Sequence, residues 1–187
     1  MLKPLSCAVI FFIIFFNHVF AAPAQVVIIR HGEKPDIGNE LNVKGWQRAN
    51  ALPMFFENNQ IVMEFGSPIA LYAGAPNNPN GSIRSIQTLT PYSQKIGLPI
   101  RKNITKDNVS ELVNEIMNNV EFNGRTIIIC WEHSLIPEMA QTFGAYNAPM
   151  NWDSNIFDRA WVIRFNGNTV SSFENIPEHV LPTDSLE

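Results

Sequence analysis

Two stretches of this chain, Val26-Val27-Ile28-Ile29 and Ile127-Ile128-Ile129-Cys130, are unbroken runs of apolar residues, seven of the eight β-branched. A strand that faces water on one side alternates polar with apolar residues, whereas one without alternation needs cover on both faces. Gln25 to Arg30 and Arg125 to Cys130 therefore read as central strands of a largely parallel sheet with helices packed on each side. The segments between and after them fit that architecture. Asn42 caps a predicted helix to about Glu57, with Val43, Trp46, Leu52 and Phe56 as its apolar positions. Pro68 to Tyr72 reads as a strand. The turn-forming run Pro76 to Gly81 then leads into a helix with Ile83, Ile86, Leu89 and Tyr92 inward. Pro99 to Arg101 is a short strand. Asp107 or Asn108 caps a helix carrying Val109, Leu112, Val113, Ile116 and Val120. Ile136 to Phe143 is helical with Pro137 in its first turn, and Ala160 to Phe165 and Thr169 to Phe173 form a hairpin across Asn166-Gly167. The expected fold is a three-layer α/β/α sandwich with a mostly parallel central sheet.

The first residues belong to a different category. Lys3 precedes the apolar run Ala8 to Phe16, and Ala21-Ala22-Pro23-Ala24 supplies small residues after it. This is the layout of a secretory signal peptide over residues 1–22, with cleavage after Ala21 or Ala24. The run is shorter than the roughly 20 residues a membrane-spanning helix requires, so no stable membrane insertion is expected after cleavage. The expected product is an exported protein, periplasmic or secreted. A single domain spans 25–176, and a polar, loosely held tail follows over 177–187. Cys7 lies in the leader, leaving Cys130 as the sole cysteine and no intramolecular disulfide. Without Lys3 there are 12 basic and 17 acidic residues, a formal charge of −5. That balance argues against nucleic acid as a partner, but not against a small anion held by local positive charge.

The two central strands both end in unusual polar residues: Arg30-His31-Gly32-Glu33-Lys34 after the first, Glu132-His133 after the second. Ligands of open parallel sheets bind outside the carboxyl ends of the strands, which would bring His31, His133 and Arg30 to one edge. An arginine fork binds phosphoryl oxygens and an uncharged imidazole can attack phosphorus. Gly32 would let a ligand approach the backbone. Arg84, at the start of the helix after the turn-rich run, would add a further cation, and the helix N-terminus free N–H groups. Cys130 lacks the arginine spacing of a tyrosine-phosphatase loop. His133 and Glu138 lack the second histidine of a zinc-protease helix.

The strand ending in Arg30-His31-Gly32-Glu33 resembles the signature of the histidine phosphatase superfamily, the phosphoglycerate-mutase-like fold. Leu41 to Ala49 resembles the family's first-helix segment, Ser82 to Thr88 its second-arginine segment, and Gly124 to His133 its second-histidine strand, all in family order. The resemblance implies a small member without a large helical cap. It implies a hydrolase, a phosphatase acting on a small phosphorylated substrate or a phosphoprotein without metal or other cofactor. His31 would accept the phosphoryl group as phosphohistidine, with Arg30, Arg84 and His133 binding its oxygens. The acid that protonates the leaving group stays open among Glu132, Glu33, Asp36, Asp153 and Asp158. Glu132 is equally readable as a residue orienting Arg or His through a salt bridge. The alternative is an inactive member that binds a phosphorylated ligand.

Overall fold

In the computed structural model, residues 22–185 are described; the leader read over 1–22 lies almost entirely outside them. Six strands form one sheet in the order β3-β2-β4-β1-β5-β6. They are β1 (Gln25–Arg30), β2 (Ala70–Ala73), β3 (Ile100–Arg101), β4 (Thr126–Trp131), β5 (Arg159–Asn166) and β6 (Thr169–Pro177). The first four run parallel, with β1 against β4 from Gln25↔Thr126 to Arg30↔Trp131. The hairpin β5–β6 is antiparallel and adds to the free edge of β1. Helices α1 (Val43–Asn58) and α2 (Arg84–Ile96) cover one face, and α3 (Val109–Asn118) and α4 (Ile136–Thr142) the other.

The apolar runs account for this layering. Val26, Ile28, Ile127 and Ile129 point into the cluster beneath α3 and α4, together with Leu112, Ile116 and Met139. Val27, Ile29, Ile128 and Cys130 point the opposite way, toward Leu52, Phe56, Leu89 and Tyr92 of α1 and α2. All of these side chains are buried. Each such aliphatic or aromatic side chain contributes roughly 1.5–3 kcal/mol relative to exposure. A polar substitution on either face of β1 or β4 therefore has no solvent to face.

Several details differ from the sequence reading. Val43 and Trp46 are exposed, because the first turns of α1 rest on the loop after β1 and the buried apolar side chains of the helix are Ala49, Leu52, Pro53, Phe55 and Phe56. Val120 is exposed too: α3 stops at Asn118, and the following 3₁₀ turn buries Phe122 instead. Asn42 caps α1 as expected, accepting from the Gly45 N–H at 2.8 Å. The α3 cap position is Asn108, whose side chain bonds Glu111 and not the helix backbone. The hairpin turn is Gly167-Asn168, one residue beyond the predicted pair.

The segment after Pro177 is fastened, not loose. Arg48 of α1 is buried and grips Glu33 in a bidentate fork at 2.8 and 3.0 Å. The same guanidinium donates to Asp184 at 2.7 and 3.0 Å and to Glu178 at 3.2 Å. Ser185 N–H donates to the Asp158 carboxylate, and Glu178 N–H to the Asp158 carbonyl. The tail's acidic residues look solvent-directed in sequence because their partner lies about 130 positions earlier. Burial pushes Glu178 well above the usual carboxylate range despite Arg48. Burial also works to raise Glu33 and Asp184, but the bonds from Arg48 outweigh it and hold both below that range.

Removing Arg48 leaves Glu33, Glu178 and Asp184 crowded and short of a cation. Arg48→Ala is expected to cost about 3–5 kcal/mol in urea unfolding, with Glu178→Gln costing distinctly less. A second measurement tests the contact between α1 and the loop after β1. A Cβ on Gly45 would lie 2.3 Å from the Glu33 carbonyl oxygen, whereas one on Gly97 would meet nothing within 4 Å and suffer only its φ of +68°. Gly45→Ala is expected to cost more than Gly97→Ala, about 2–3 kcal/mol against about 1.

Candidate active site

The chain continues extended past the end of β1, and His31 N–H donates to the Trp131 carbonyl at 3.1 Å. That bond sets His31 beside the exit of β4, where Glu132 and His133 follow. All five residues singled out from sequence, Arg30, His31, Arg84, Glu132 and His133, line one cavity of about 140 Å³. Lys34, Lys106, Ser82 and Ser85 share its wall. A larger cavity of about 380 Å³ beside Trp152 and Trp161 contains none of the five.

His31 is buried, and its Nδ1 lies 2.7 Å from the Gly32 carbonyl oxygen. A carbonyl only accepts, so Nδ1 carries the proton and Nε2 holds the lone pair. Burial lowers the imidazole pKa to about 4; the bond to Gly32 opposes this and the charges of Arg30 and Arg84 add to it. The ring is therefore neutral near pH 7. Its position is fixed from several sides. Gly32 N–H donates to Thr88 Oγ1 of α2 at 2.9 Å, and Asn42 at the start of α1 donates to the Glu33 and Lys34 carbonyls. Gly32, read from sequence as letting a ligand approach the backbone, is not part of the cavity lining; its missing side chain instead lets α1 in. A Cβ there would come within 2.9 Å of the Gly45 carbonyl oxygen.

Arg30 is held on the opposite side of the strand end. Its Nη1 donates to the carbonyls of Ser154 (2.8 Å) and Ile156 (2.7 Å), and its Cζ lies 3.6 Å above the Phe157 ring. Nε is buried without a partner, and Nη2 makes no hydrogen bond among the described residues. The fork is thus anchored on one nitrogen and unspent on the others. Burial lowers its pKa to about 10, still far above neutrality. Arg84 opens α2, donating from Nε to the Glu40 carbonyl at 3.1 Å and from Nη2 to that of Gly38. His133 has a buried Nδ1 with no partner, and burial followed by the Arg30 charge lowers its pKa.

The open question of the acid narrows. Glu33 is turned away onto Arg48, and Asp158 accepts from the tail. Asp36 is exposed on its loop and is not among the cavity's lining. Asp153 lines the Trp152 cavity. Glu132 is the one carboxylate of the described residues that lines the His31 cavity. It is paired with Lys106, and not with an arginine or a histidine as one sequence reading had it. Burial works to raise its pKa, but the bond and charge of Lys106 outweigh this and hold the carboxyl below its usual range. Cys130 lies outside the cavity, fully buried, its thiol pushed up by burial.

Sequence reasoning missed Lys106 and Phe157. Lys106 sits in a loop rich in asparagine and lysine, with nothing local to mark it. Its position comes from pairing between distant segments: Lys106 N–H donates to the Ala75 carbonyl, and its own carbonyl accepts from Trp131 Nε1 at 2.9 Å.

The sequence matches no family model and no curated protein. Solved structures nevertheless share its chain path. The protein histidine phosphatase SixA, in complex with tungstate, superposes with a TM-score of 0.58 at 12% identity, covering 82% of this chain and 97% of that one. Phosphoserine phosphatase from Entamoeba histolytica, in complex with 3-phosphoglyceric acid, gives 0.54 at 14% identity, covering 84% and 99%. Phosphoglycerate mutase from Bacillus anthracis str. Sterne gives 0.52 at 12% identity, covering 84% and 94%. Nearly the whole length of each is matched, so what they share with this chain is a complete domain. On this evidence the chain has the phosphoglycerate-mutase-like fold.

Proposed function

We propose that this protein is a phosphatase that moves the phosphoryl group of a phosphomonoester onto His31 Nε2 and then to water. The observation that carries the reading is the state of His31: neutral, buried, its Nδ1–H held by the Gly32 carbonyl, in a cavity otherwise dominated by cations. Nucleophilic nitrogen and anion-binding charge in one enclosure suit phosphoryl transfer better than proton shuttling or metal binding.

The Nε2 lone pair forms the N–P bond as the P–O bond to the leaving alcohol breaks. The ring gains positive charge, which the Nδ1–H bond to Gly32 disperses. Free N–H groups of Arg30 and Arg84, with a ring nitrogen of His133, meet the three equatorial oxygens as charge shifts among them. The departing alkoxide takes its proton from Glu132, the carboxyl that lines the same cavity. An incoming phosphate dianion beside that carboxylate raises its pKa toward the protonated form. Water then attacks the phosphohistidine, releasing inorganic phosphate and restoring neutral His31. None of these steps calls for a metal ion or another cofactor.

Two measurements test the chemistry. Wild-type protein mixed with phenyl phosphate and quenched in alkali is expected to yield an acid-labile phosphoryl-enzyme that is absent from His31→Ala. Arg84→Ala is expected to lower kcat/KM by about 100-fold. Binding of vanadate with no phosphoryl-enzyme and no turnover would instead favour the inactive, ligand-binding alternative. The second measurement is the pH profile. Protonation removes the Nε2 lone pair, so kcat/KM falls as pH drops through the His31 pKa. With the substrate's own ionisation corrected for, that limb is expected near pH 4 and not near the ordinary 6.5. A limb at 6.5 contradicts the buried, neutral nucleophile.

Export through the leader is part of the same proposal, and the fold favours one cleavage point. Ala22 to Ala24 are buried, with the Ala22 carbonyl accepting from Gly124 N–H and Ala24 bonded to both Arg125 and Phe165. Cleavage after Ala24 discards these contacts, whereas cleavage after Ala21 retains them. N-terminal sequencing of the exported protein is expected to begin at Ala22; a start at Gln25 overturns that choice.

A further inference from the structure

The cations around the cavity differ in depth. Arg30 is buried with His31, whereas Lys34 is exposed and the Lys106 side chain is about one-third exposed, 36%. Four cationic side chains face a single carboxylate, Glu132, while both histidines have lowered pKa values and stay uncharged near neutrality. That is an excess of three positive charges. A phosphomonoester brings roughly −1.5 to −2, so about one positive charge is left over. The surplus lies toward solvent, the side from which a leaving group must depart once the phosphoryl group meets buried His31.

Lys106 is also held in place more firmly than a solvated lysine. Its backbone is tied on both sides, by the bond to Ala75 and by the Trp131 indole, next to the parallel bridge Ala75↔Thr105. Gly74 packs against it closely enough that a Cβ there would lie 3.3 Å from Lys106 Cβ. Lys34 has no carboxylate within ion-pair distance among the described residues.

We propose that Lys106, assisted by Lys34, reads a second anionic group on the substrate, so that the preferred class is a phosphomonoester whose leaving alcohol itself carries a carboxylate or a second phosphate. This rests on the phosphatase reading for the identity of the phosphoryl group. Glu132 is the counter-ion of Lys106 in the structure. When the substrate's second anion arrives, Lys106 turns to it and leaves Glu132 free to take up the proton that the leaving alkoxide needs. Lys106 is thus a specificity residue that also sets the protonation of Glu132.

The test uses three ligands with matched two-carbon skeletons: ethyl phosphate, phosphoglycolate and ethylene glycol bisphosphate. Affinity is measured by calorimetry in His31→Ala, where no turnover occurs, at low and at moderate salt. Phosphoglycolate and the bisphosphate are expected to bind at least tenfold more tightly than ethyl phosphate, about 1.4 kcal/mol, with the gap narrowing as salt rises. Whichever of the two gains more identifies the second group as carboxylate or phosphate. Adding Lys106→Ala is expected to shrink the gap to under threefold, Lys106→Arg to keep most of it, and Lys34→Ala to reduce it partly. Glu132→Gln is expected to leave or widen it. Equal affinity for all three ligands overturns the proposal, as does a Lys106→Ala loss of the same factor for each. Closure of the gap by Glu132→Gln overturns it too, because Lys106 would then act only by holding Glu132. Failure of the wild type to hydrolyse any of the three counts against the phosphatase reading and leaves the binding gap as an independent measurement.

Discussion

The parallel pairing of β1 with β4 is the constraint from which the rest of the structure follows. Its register, ending at Arg30↔Trp131, brings two strand exits together, so that His31 emerges beside Glu132 and His133 although about 100 residues separate them. The pairing is secure because both strands are apolar on both faces. A slip of one residue would move Arg30 or Trp131 along the sheet without gaining better burial elsewhere. The cavity is therefore placed by the buried centre of the sheet, on paired strands and not on loops.

Around that fixed edge, backbone carbonyls and ion pairs orient the charges. Arg30 is aimed by the carbonyls of Ser154 and Ile156 and by the face of Phe157, so its free nitrogens are organised before any ligand arrives. Glu33, although only two residues from His31, is withdrawn from the cavity by Arg48. The same arginine fastens the C-terminal tail, so the loop after β1, the first helix and the end of the chain form one hydrogen-bonded unit. Arg48 thus keeps one carboxylate out of the cavity. Among the described residues that leaves Glu132, paired with Lys106, as the one carboxylate in the lining.

How much of this was readable without coordinates depended on the range of the interaction. The central strands, the Asn42 cap and the inner face of α3 were legible, because burial on both faces, capping and helical period are local patterns. The five cavity residues were legible because each sits at a strand or helix end, where the topology of parallel sheets collects ligands. The exposure of Val43 and Trp46 was not. It depends on the close approach of Gly45 to Glu33, a contact between segments that no periodicity reports. The fastening of the tail was hidden for the same reason: Glu178 and Asp184 are ordinary polar residues until Arg48 is placed next to them.

The sequence by itself determined the layers, the central pair of strands and which charged side chains gather at the strand ends, because unbroken apolar runs and strand-end polar residues leave few other arrangements. Only the tertiary structure decided which carboxylate shares the cavity with His31, which nitrogen of His31 is free, and that Lys106 lines the same wall. Those outcomes turn on hydrogen bonds and ion pairs between residues distant along the chain. The strength and direction of such contacts are set by packing, which a linear pattern does not carry.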